Sequence, residues 1–344
     1  MLGLASALLF GAATPASKAL LGSIQAQALA GLLYLGAALI MLPVATRERT
    51  FRWPWRAGRS TLLFLTGATV LGGIIGPLLI LLGLKITSSG SVALWLNLES
   101  VATVILGHFI FHEHLGLRGW IAAGGTLIAA VLLAGGEGGS AILPVFLIAL
   151  GCLCWGVDNH FTALIDGISP SQTTFWKGIV AGAFNLVMAG ALTGGVGRPA
   201  MVFMALLVGA ASYGLSITLY VTAAQGLGAT RSQMVFSAAP FFGLLLSVTV
   251  LGEAFTGIQA IAAVIIVISL MVLFSEKHIH LHRHHSMSHQ HGHEHHESHH
   301  DHAHRGPGAA GSHAHWHEHK PQEHAHDHLP DLHHRHDHDD TDKH

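Results

Sequence analysis

Glu99 lies deep inside the apolar run LWLNLESVATVIL, two residues after Asn97. A carboxyl group removed from water favours its uncharged form, and every ionisable group in hydrocarbon is costly unless paired or hydrated. Such a group suits proton coupling or cation binding; the alternative is a protonated acid bonded to a neighbouring helix. A second polar set, CWGVDNHFTAL, puts Trp155, Asp158, Asn159 and Thr162 along one helical stripe, with His160 turned away beside Gly156 and Leu164. Phe10, Ala13, Thr14 and Ser17 form a matching stripe near the start of the chain. Lys177 follows at a similar depth to Asp158, so the two form an ion-pair candidate, either structural or part of a cavity wall. Gln233 and Ser237 sit one helical turn apart and add hydrogen-bonding groups. The candidate cavity set is therefore Asn97, Glu99, Trp155, Asp158, Asn159, Gln233 and Ser237. Asn97 and Glu99 can share one cavity only if their helix is locally distorted.

The other concentration of chemistry is the C-terminal string that includes HGHEHHESHHDHAH and PDLHHRH. Neutral imidazole binds zinc, nickel and cobalt, and the interspersed carboxylates add charge attraction. The metal-ligating candidates are His291, His293, His295, His296, His299, His300, His302, His304, His333, His334 and His336. Residues 276–344 hold 26 of the 30 histidines and almost nothing apolar, so composition points to disorder. This tail could load divalent ions, sense or buffer them, or have only incidental affinity. By contrast HFIFHEH, residues 108–114, is no zinc-protease motif, because the position that HExxH requires to be histidine is Gly116. Nor is there a phosphate-binding loop to support use of ATP.

The elements that position these groups follow from composition. The chain of 344 residues is 51% apolar and only 10% charged, the profile of a membrane protein. A spanning helix takes about 20 apolar residues to cross about 30 Å of hydrocarbon. Apolar runs near 2–21, 26–45, 61–83, 88–111, 117–135, 141–164, 171–193, 200–222, 230–250 and 255–274 fit ten spans. The opening residues read as a first span rather than a removed signal peptide, since no basic region or cleavage site accompanies them. Lys18, near the end of that span, is placed to snorkel to the surface. Arg47, Arg49, Arg52, Arg56 and Arg59 surround the second connection, alternate connections add Arg118 and Arg231, and Lys277 follows the last span. The positive-inside rule then puts both termini in the cytoplasm and the chain in the cell (inner) membrane. Cys152 and Cys154, two residues apart on a helix, diverge too far to form a disulfide or a metal clamp.

The spans also repeat. SSGSVALWLNLESVATVILGHFIFHE (88–113) aligns without gaps over GATRSQMVFSAAPFFGLLLSVTVLGE (228–253), and LLFGAATPASKALLG aligns over CLCWGVDNHFTALIDG. Position 237 falls over Asn97, and Glu253 over Glu113. Five spans per copy is an odd number, so the second copy enters the membrane from the opposite side, the architecture of alternating-access transporters. The expected fold is all-α: ten spans in two inverted five-helix repeats, 1–137 and 138–275, followed by a disordered cytoplasmic tail, 276–344. The glycine pairs Gly72/Gly76 and Gly178/Gly182 have the spacing for close helix contact, and Gly76-Pro77 marks a possible kink.

GLKITSSGSVALWLNLESV, the LGE at 251–253 and CWGVDNHFTALI resemble the EamA-type permeases of the drug/metabolite transporter superfamily, over residues 1–275. The resemblance implies a ten-helix secondary transporter, not an enzyme, with a central cavity between the halves and the fifth and tenth spans at the periphery. Where that family often has Leu-Glu-Pro, this chain has Leu98-Glu99-Ser100, while Pro240 keeps the equivalent place in the ninth span. The leading expectation is proton-coupled efflux of a small metabolite or amphipathic compound. The alternative is export of nickel, cobalt or zinc fed or regulated by the tail. Expected partners are membrane lipid, a small-molecule substrate and divalent metal ions bound by the tail; no cofactor is required, nucleic acid is excluded and a homodimer is left open.

Overall fold

A computed structural model describes residues 2–48, 51–110, 115–136, 141–165, 167–193, 195–220 and 235–275, and in the tail 278–284, 287–293, 313–319 and 322–328. Two compact units are present, Met1–Glu276 and Lys277–His344. Within hydrocarbon only a helix satisfies every backbone N–H and C=O internally, and the first unit is built accordingly. Among the described residues nine helices are long and apolar enough to cross a membrane. They are α1 (Leu2–Leu21), α2 (Ala26–Arg47), α3 (Arg59–Lys85), α4 (Ser89–Ile110), α5 (Leu117–Gly136), α6 (Ile142–Ala163), α7 (Pro170–Leu192), α8 (Pro199–Tyr220) and α10 (Gly257–Phe274). The shorter apolar helix α9 (Ala239–Leu251) completes the set. Large apolar side chains such as Leu63, Val131, Val187 and Val250 point outward, more than two-thirds exposed, which suits contact with lipid tails. This is an integral, multi-pass membrane protein.

The two halves interlock. α2 packs against α7 and α8, α1 against α9, and α6 against α3 and α4, while α5 pairs with α10. The α2–α7 contact uses the glycine pair expected from spacing: a Cβ at Gly178 would lie 2.7 Å from the Tyr34 carbonyl oxygen, and one at Gly182 2.9 Å from the Leu35 nitrogen. Any side chain there would push the helices apart.

Several helices are deliberately irregular. α3 carries a π-helical stretch, Thr69–Ile75, and α8 carries another, Gly209–Leu215. The two are 140 residues apart, the same offset that relates 88–113 to 228–253. A π-turn widens the helix and releases carbonyls from their usual donors. In α3 those carbonyls find side chains: Gly72 O accepts from the Tyr34 hydroxyl and from Trp155 Nε1 (3.1 Å), and Gly73 O accepts from Asn185 Nδ2 (3.2 Å). α4 is interrupted at Leu96–Asn97, and Ser237–Ala238 form the matching turn before α9. The kink in α4 therefore survives without a proline. Asn97 Nδ2 donates to Leu94 O at 2.9 Å, and the N–H groups of Asn97, Glu99 and Ser100 bond three residues back rather than four. α1 has its own break at Ala12.

In the second unit, β1 (His278–His284) pairs antiparallel with β4 (Gln322–His328), and β2 (Met287–His293) with β3 (His313–His319). Composition alone points to disorder there, yet histidine alternates with other residues at period two, the repeat of a strand. The register sets His278, His280 and His282 opposite His328, His326 and His324. It likewise sets His289, His291 and His293 opposite His317, His315 and His313. The candidates His295, His296, His299, His300, His302, His304, His333, His334 and His336 lie outside the described residues, as do Gln233, His112, Glu113 and His114.

Candidate functional site

The interruptions in α1, α4 and α9 converge. A partly open recess is lined by Phe10, Gly11 and Thr14 of α1, by Leu96, Asn97, Glu99 and Ser100 at the α4 break, and by Phe236, Ser237, Ala239, Pro240 and Gly243 at the α9 end. On a regular helix Asn97 and Glu99 would diverge; the break turns both toward the same space. Ser237 faces it from the second copy, at the position that overlies Asn97.

Glu99 reaches out of this recess to α6. Its Oε1 accepts from Asn159 Nδ2 at 2.9 Å, and the same amide donates to Thr103 Oγ1 at 3.2 Å. His160, nearly fully buried, bonds the Thr103 carbonyl through Nε2 at 2.9 Å, and Gly156 closes on Ala102 and Thr103. The contact of α6 with α4 is thus made by Gly156, His160 and also Asn159, which does not share the side of Asp158 as its place on the expected stripe implied.

Asp158 is buried on the other side of α6. It pairs with Lys177 and accepts from Thr162 Oγ1 at 3.1 Å. The approach is so close that a Cβ on Gly72 would sit 2.0 Å from Asp158 Oδ2. The expected ion pair is therefore present, and Trp155 joins it by donating to Gly72 O rather than by lining the recess. Trp95, two residues before Asn97, is buried and donates to Ala130 O of α5. Cys152 and Cys154 are free and buried.

Sequence reasoning passed over Tyr34 and Asn185. Tyr34 donates to the π-turn; Asn185, fully buried, receives Gln27 Nε2 at 2.7 Å and donates to Gly73 O. A lone buried Asn or Tyr in a span is a signal of this kind of cross-helix bond, but nothing in the sequence said which carbonyl it would meet.

Two carboxylates tie one half to the other at opposite ends of the helices. Glu48, after α2, accepts from the hydroxyls of Ser169 and Ser171 and from Gln172 Nε2 (2.7 Å), at the start of α7. Glu253, after α9, accepts from Ser89 N (2.9 Å), Gly90 N (2.9 Å) and Ser89 Oγ (2.8 Å), at the start of α4. Each anion sits where a helix presents unsatisfied N–H groups and the positive end of its dipole. Lys18 does not snorkel freely: its ammonium donates to the carbonyls of Leu84 (2.9 Å) and Thr87 (2.6 Å), the complementary negative end of α3. The α3–α4 turn is thereby held by a cation and an anion. Replacing Glu253 by Ala leaves the Ser89 and Gly90 N–H groups without their acceptor, while Ser89 Oγ keeps Ser247 Oγ, so the unfolding free energy in detergent is expected to fall by about 1–3 kcal/mol, with Gln recovering part. A denaturant titration reads it; an unchanged midpoint contradicts the latch.

The fold and site together define a multi-pass membrane protein whose duplicated helical halves share a partly open recess with Glu99 on its wall. Residues 1–135 and 142–275 each match the EamA-like transporter family, and the chain belongs to that family. It is a family of transporters, not enzymes. A relative from Methanothermobacter thermautotrophicus (strain Delta H), named as an uncharacterized transporter, is 27% identical over 229 residues. That match covers 64% of this chain and 66% of the relative, just short of two-thirds of its length. A crystal structure of another protein, 16% identical, superposes with a TM-score of 0.59 over 79% of this chain and 95% of its own, a likeness of fold alone.

Proposed function

We propose that this chain is a secondary active transporter that exports a small metabolite or amphipathic compound in exchange for protons. The observation that carries the reading is the recess shared by the α1, α4 and α9 breaks, with Glu99 on its wall. The residues in play are Asn97, Glu99, Asn159 and Ser237, with Asp158, Lys177 and Trp155 as the buried support beside them. Both copies contribute an interrupted helix to this recess, the arrangement through which inverted repeats expose one site alternately to the two sides. Asp158 and Lys177 cancel one another, so Glu99 is the carboxyl left to exchange a proton. The Arg-rich connections support a cytoplasmic placement of both termini in the inner membrane.

The His-rich tail is proposed to bind divalent zinc, nickel or cobalt. Directly opposed positions in an antiparallel pair lie about 5 Å apart at Cβ, and the register sets six pairs of histidines opposite one another. Among the described residues no three His, Cys, Asp or Glu side chains group as metal ligands, so the metal-export alternative rests on the tail. Truncation after Ser275 decides between the two readings. In proteoliposomes loaded with candidate metabolites or with nickel, the shortened protein should keep pH-gradient-driven metabolite flux while losing nearly all nickel binding. Loss of a nickel flux that the full chain supports would favour metal export instead.

A further inference from the structure

We propose that the connection between α2 and α3 is a binding site for an anionic phospholipid, its phosphate held by arginines and its glycerol and upper acyl chains laid along a stack of tryptophans. The site is independent of the transported substrate. Two spanning helices bound this connection, α2 ending at Arg47 and α3 beginning at Arg59, so the segment between them lies at the membrane surface. Its sequence, RERTFRWPWRAGR, holds five arginines against one acid, Glu48. That acid is turned to α7, where it accepts from Ser169, Ser171 and Gln172. Arg47, Arg52, Arg56 and Arg59 are all exposed. The connection after α6 approaches at Gly167, where a Cβ would lie 3.6 Å from Ala57 O. It carries Asp166, which is outside the described residues. With that acid counted, five positive charges still stand against two negative ones.

Beside these charges stands a run of aromatic rings whose exposure grows along it. Phe175, buried, packs 5.1 Å from Trp176, which lies 5.9 Å from Phe51 and 5.0 Å from Trp53. Trp53 in turn stacks on Trp55, with ring centres 4.8 Å apart and planes 26° from parallel. Trp53 is 44% exposed and Trp55 62%. Two open indoles side by side are poorly placed in water, but suit the membrane interface, where ring bodies meet acyl chains and polar edges meet headgroups. The shelf is also fixed in place. Pro54–Arg56 forms a 3-10 turn in which Arg56 N donates to Trp53 O at 2.9 Å, and Arg52 N donates to Gln172 Oε1 of α7 at 3.0 Å. The backbone that carries Arg52 and Arg56 is therefore set against the rings and against α7.

A phosphodiester joined to acyl chains uses every part of this surface. Guanidinium groups take phosphate oxygens through paired hydrogen bonds, and basic clusters at the ends of spans attract anionic headgroups. At the foot of the stack, Trp176 Nε1 is buried without a hydrogen-bond partner among the described residues. Buried donors ordinarily have an acceptor, and the phosphate and ester oxygens of a phospholipid are acceptors. A soluble phosphate would satisfy the arginines and leave the tryptophan shelf bare, so the lipid is the source that accounts for both. Trp53 and Trp55 belong to the first copy and Trp176 to the second. A lipid seated here thus bridges the two halves, beside the contact of Glu48 with the start of α7.

Native mass spectrometry of the full chain in detergent tests the site, with equal amounts of phosphatidylglycerol and phosphatidylcholine bearing the same acyl chains. Phosphatidylglycerol is expected to be retained at least about fivefold more, and to saturate. Arg52→Gln combined with Arg56→Gln should bring the two lipids to within about twofold of one another. Arg118→Gln, which removes an exposed arginine of another connection, should leave the preference intact. Trp53→Leu combined with Trp55→Leu should weaken phosphatidylglycerol several-fold although every charge remains, with an unchanged unfolding midpoint showing that the variants are folded. Equal retention of the two lipids by the wild type overturns the site, as does an equal loss of preference in Arg118→Gln. Displacement of the lipid by glycerol phosphate overturns it in favour of a soluble phosphate. A preference that appears only after truncation at Ser275 overturns it in favour of the acidic tail as the occupant. The transport reading is judged separately, by pH-gradient-driven flux.

Discussion

Substituting Gln for Glu99 is expected to cut pH-gradient-driven accumulation in proteoliposomes at least tenfold and to flatten the pH dependence of what remains. The amide is nearly the same size and keeps an oxygen for Asn159 Nδ2, now 2.9 Å from Oε1. Exchanging that acceptor costs on the order of 1 kcal/mol of stability, the scale of one hydrogen bond, so the variant should fold and insert. What it cannot do is change charge. With Asp158 and Lys177 paired, the recess then has no other lining group able to take up and release a proton among its described residues. A barrier increase of about 1.4 kcal/mol already corresponds to tenfold in rate, and the loss of the coupling group should exceed that. Wild-type accumulation with unchanged pH dependence in Glu99→Gln would end the proton-coupling proposal. Downhill flux that persists while accumulation disappears would instead be the expected signature of an uncoupled carrier.

How much of this was legible beforehand depends on the physics at each position. Span existence was, because about 20 apolar residues are needed whatever the neighbours do, and the match between 88–113 and 228–253 carried the duplication. Ser237 facing the recess opposite Asn97 follows from that alignment alone. The joint presence of Asn97 and Glu99 on one wall was conditional on a distortion, and Ser100 stands where a proline would have marked one. Asn97 supplies the explanation: its own side chain takes over a carbonyl freed by the turn, so a kink is encoded by an amide where other chains would use a ring. The π-stretches were not legible, since no residue type demands an i→i+5 turn. The one in α3 is supported by outside donors, Tyr34, Trp155 and Asn185, which satisfy what the helix gives up. Those donors come from three other helices, and a single-chain pattern cannot say which of them will meet. The latches at Glu48 and Glu253 have the same character: each anion caps a helix from the other half of the body, more than 120 residues away in one case and more than 160 in the other.

The latches give the proposed alternation a physical form. Glu48 holds the start of α7 and Glu253 holds the start of α4, so each end of the body is tied by an acid of one half to N–H or hydroxyl groups of the other. Opening either end means withdrawing a carboxylate from a helix terminus and giving it water instead. That exchange is close to neutral in energy, unlike separating packed apolar faces, because the anion keeps good partners in both states. Rearrangement about the recess can then be inexpensive at both ends while the α2–α7 glycine contact stays closed.

The Asp158–Lys177 pair yields the other large effect, on stability. Asp158→Asn removes the counter-charge but leaves the largely buried Lys177 side chain with its ammonium in place. An uncompensated buried charge of this kind costs roughly 3–5 kcal/mol, a large share of the 5–15 kcal/mol typical of folded proteins. Unfolding of the purified variant in detergent should show that drop. Lys177→Met should cost less, since Asp158 can take a proton and still has Thr162 as partner. The double variant Asp158→Asn, Lys177→Met should regain most of the loss, because pairs in contact are strongly non-additive and an apolar replacement removes the desolvation cost of both charges. A single variant within about 1 kcal/mol of wild type would mean that Lys177 escapes to water and that the pair contributes little. The double variant also separates the two roles open to this pair. If it is as stable as wild type and transports normally, the ion pair is a strut beside the recess. If it is stable but no longer couples flux to pH, the pair sets the charge against which Glu99 exchanges its proton, and the polar face of α6 belongs to the transport machinery as a whole.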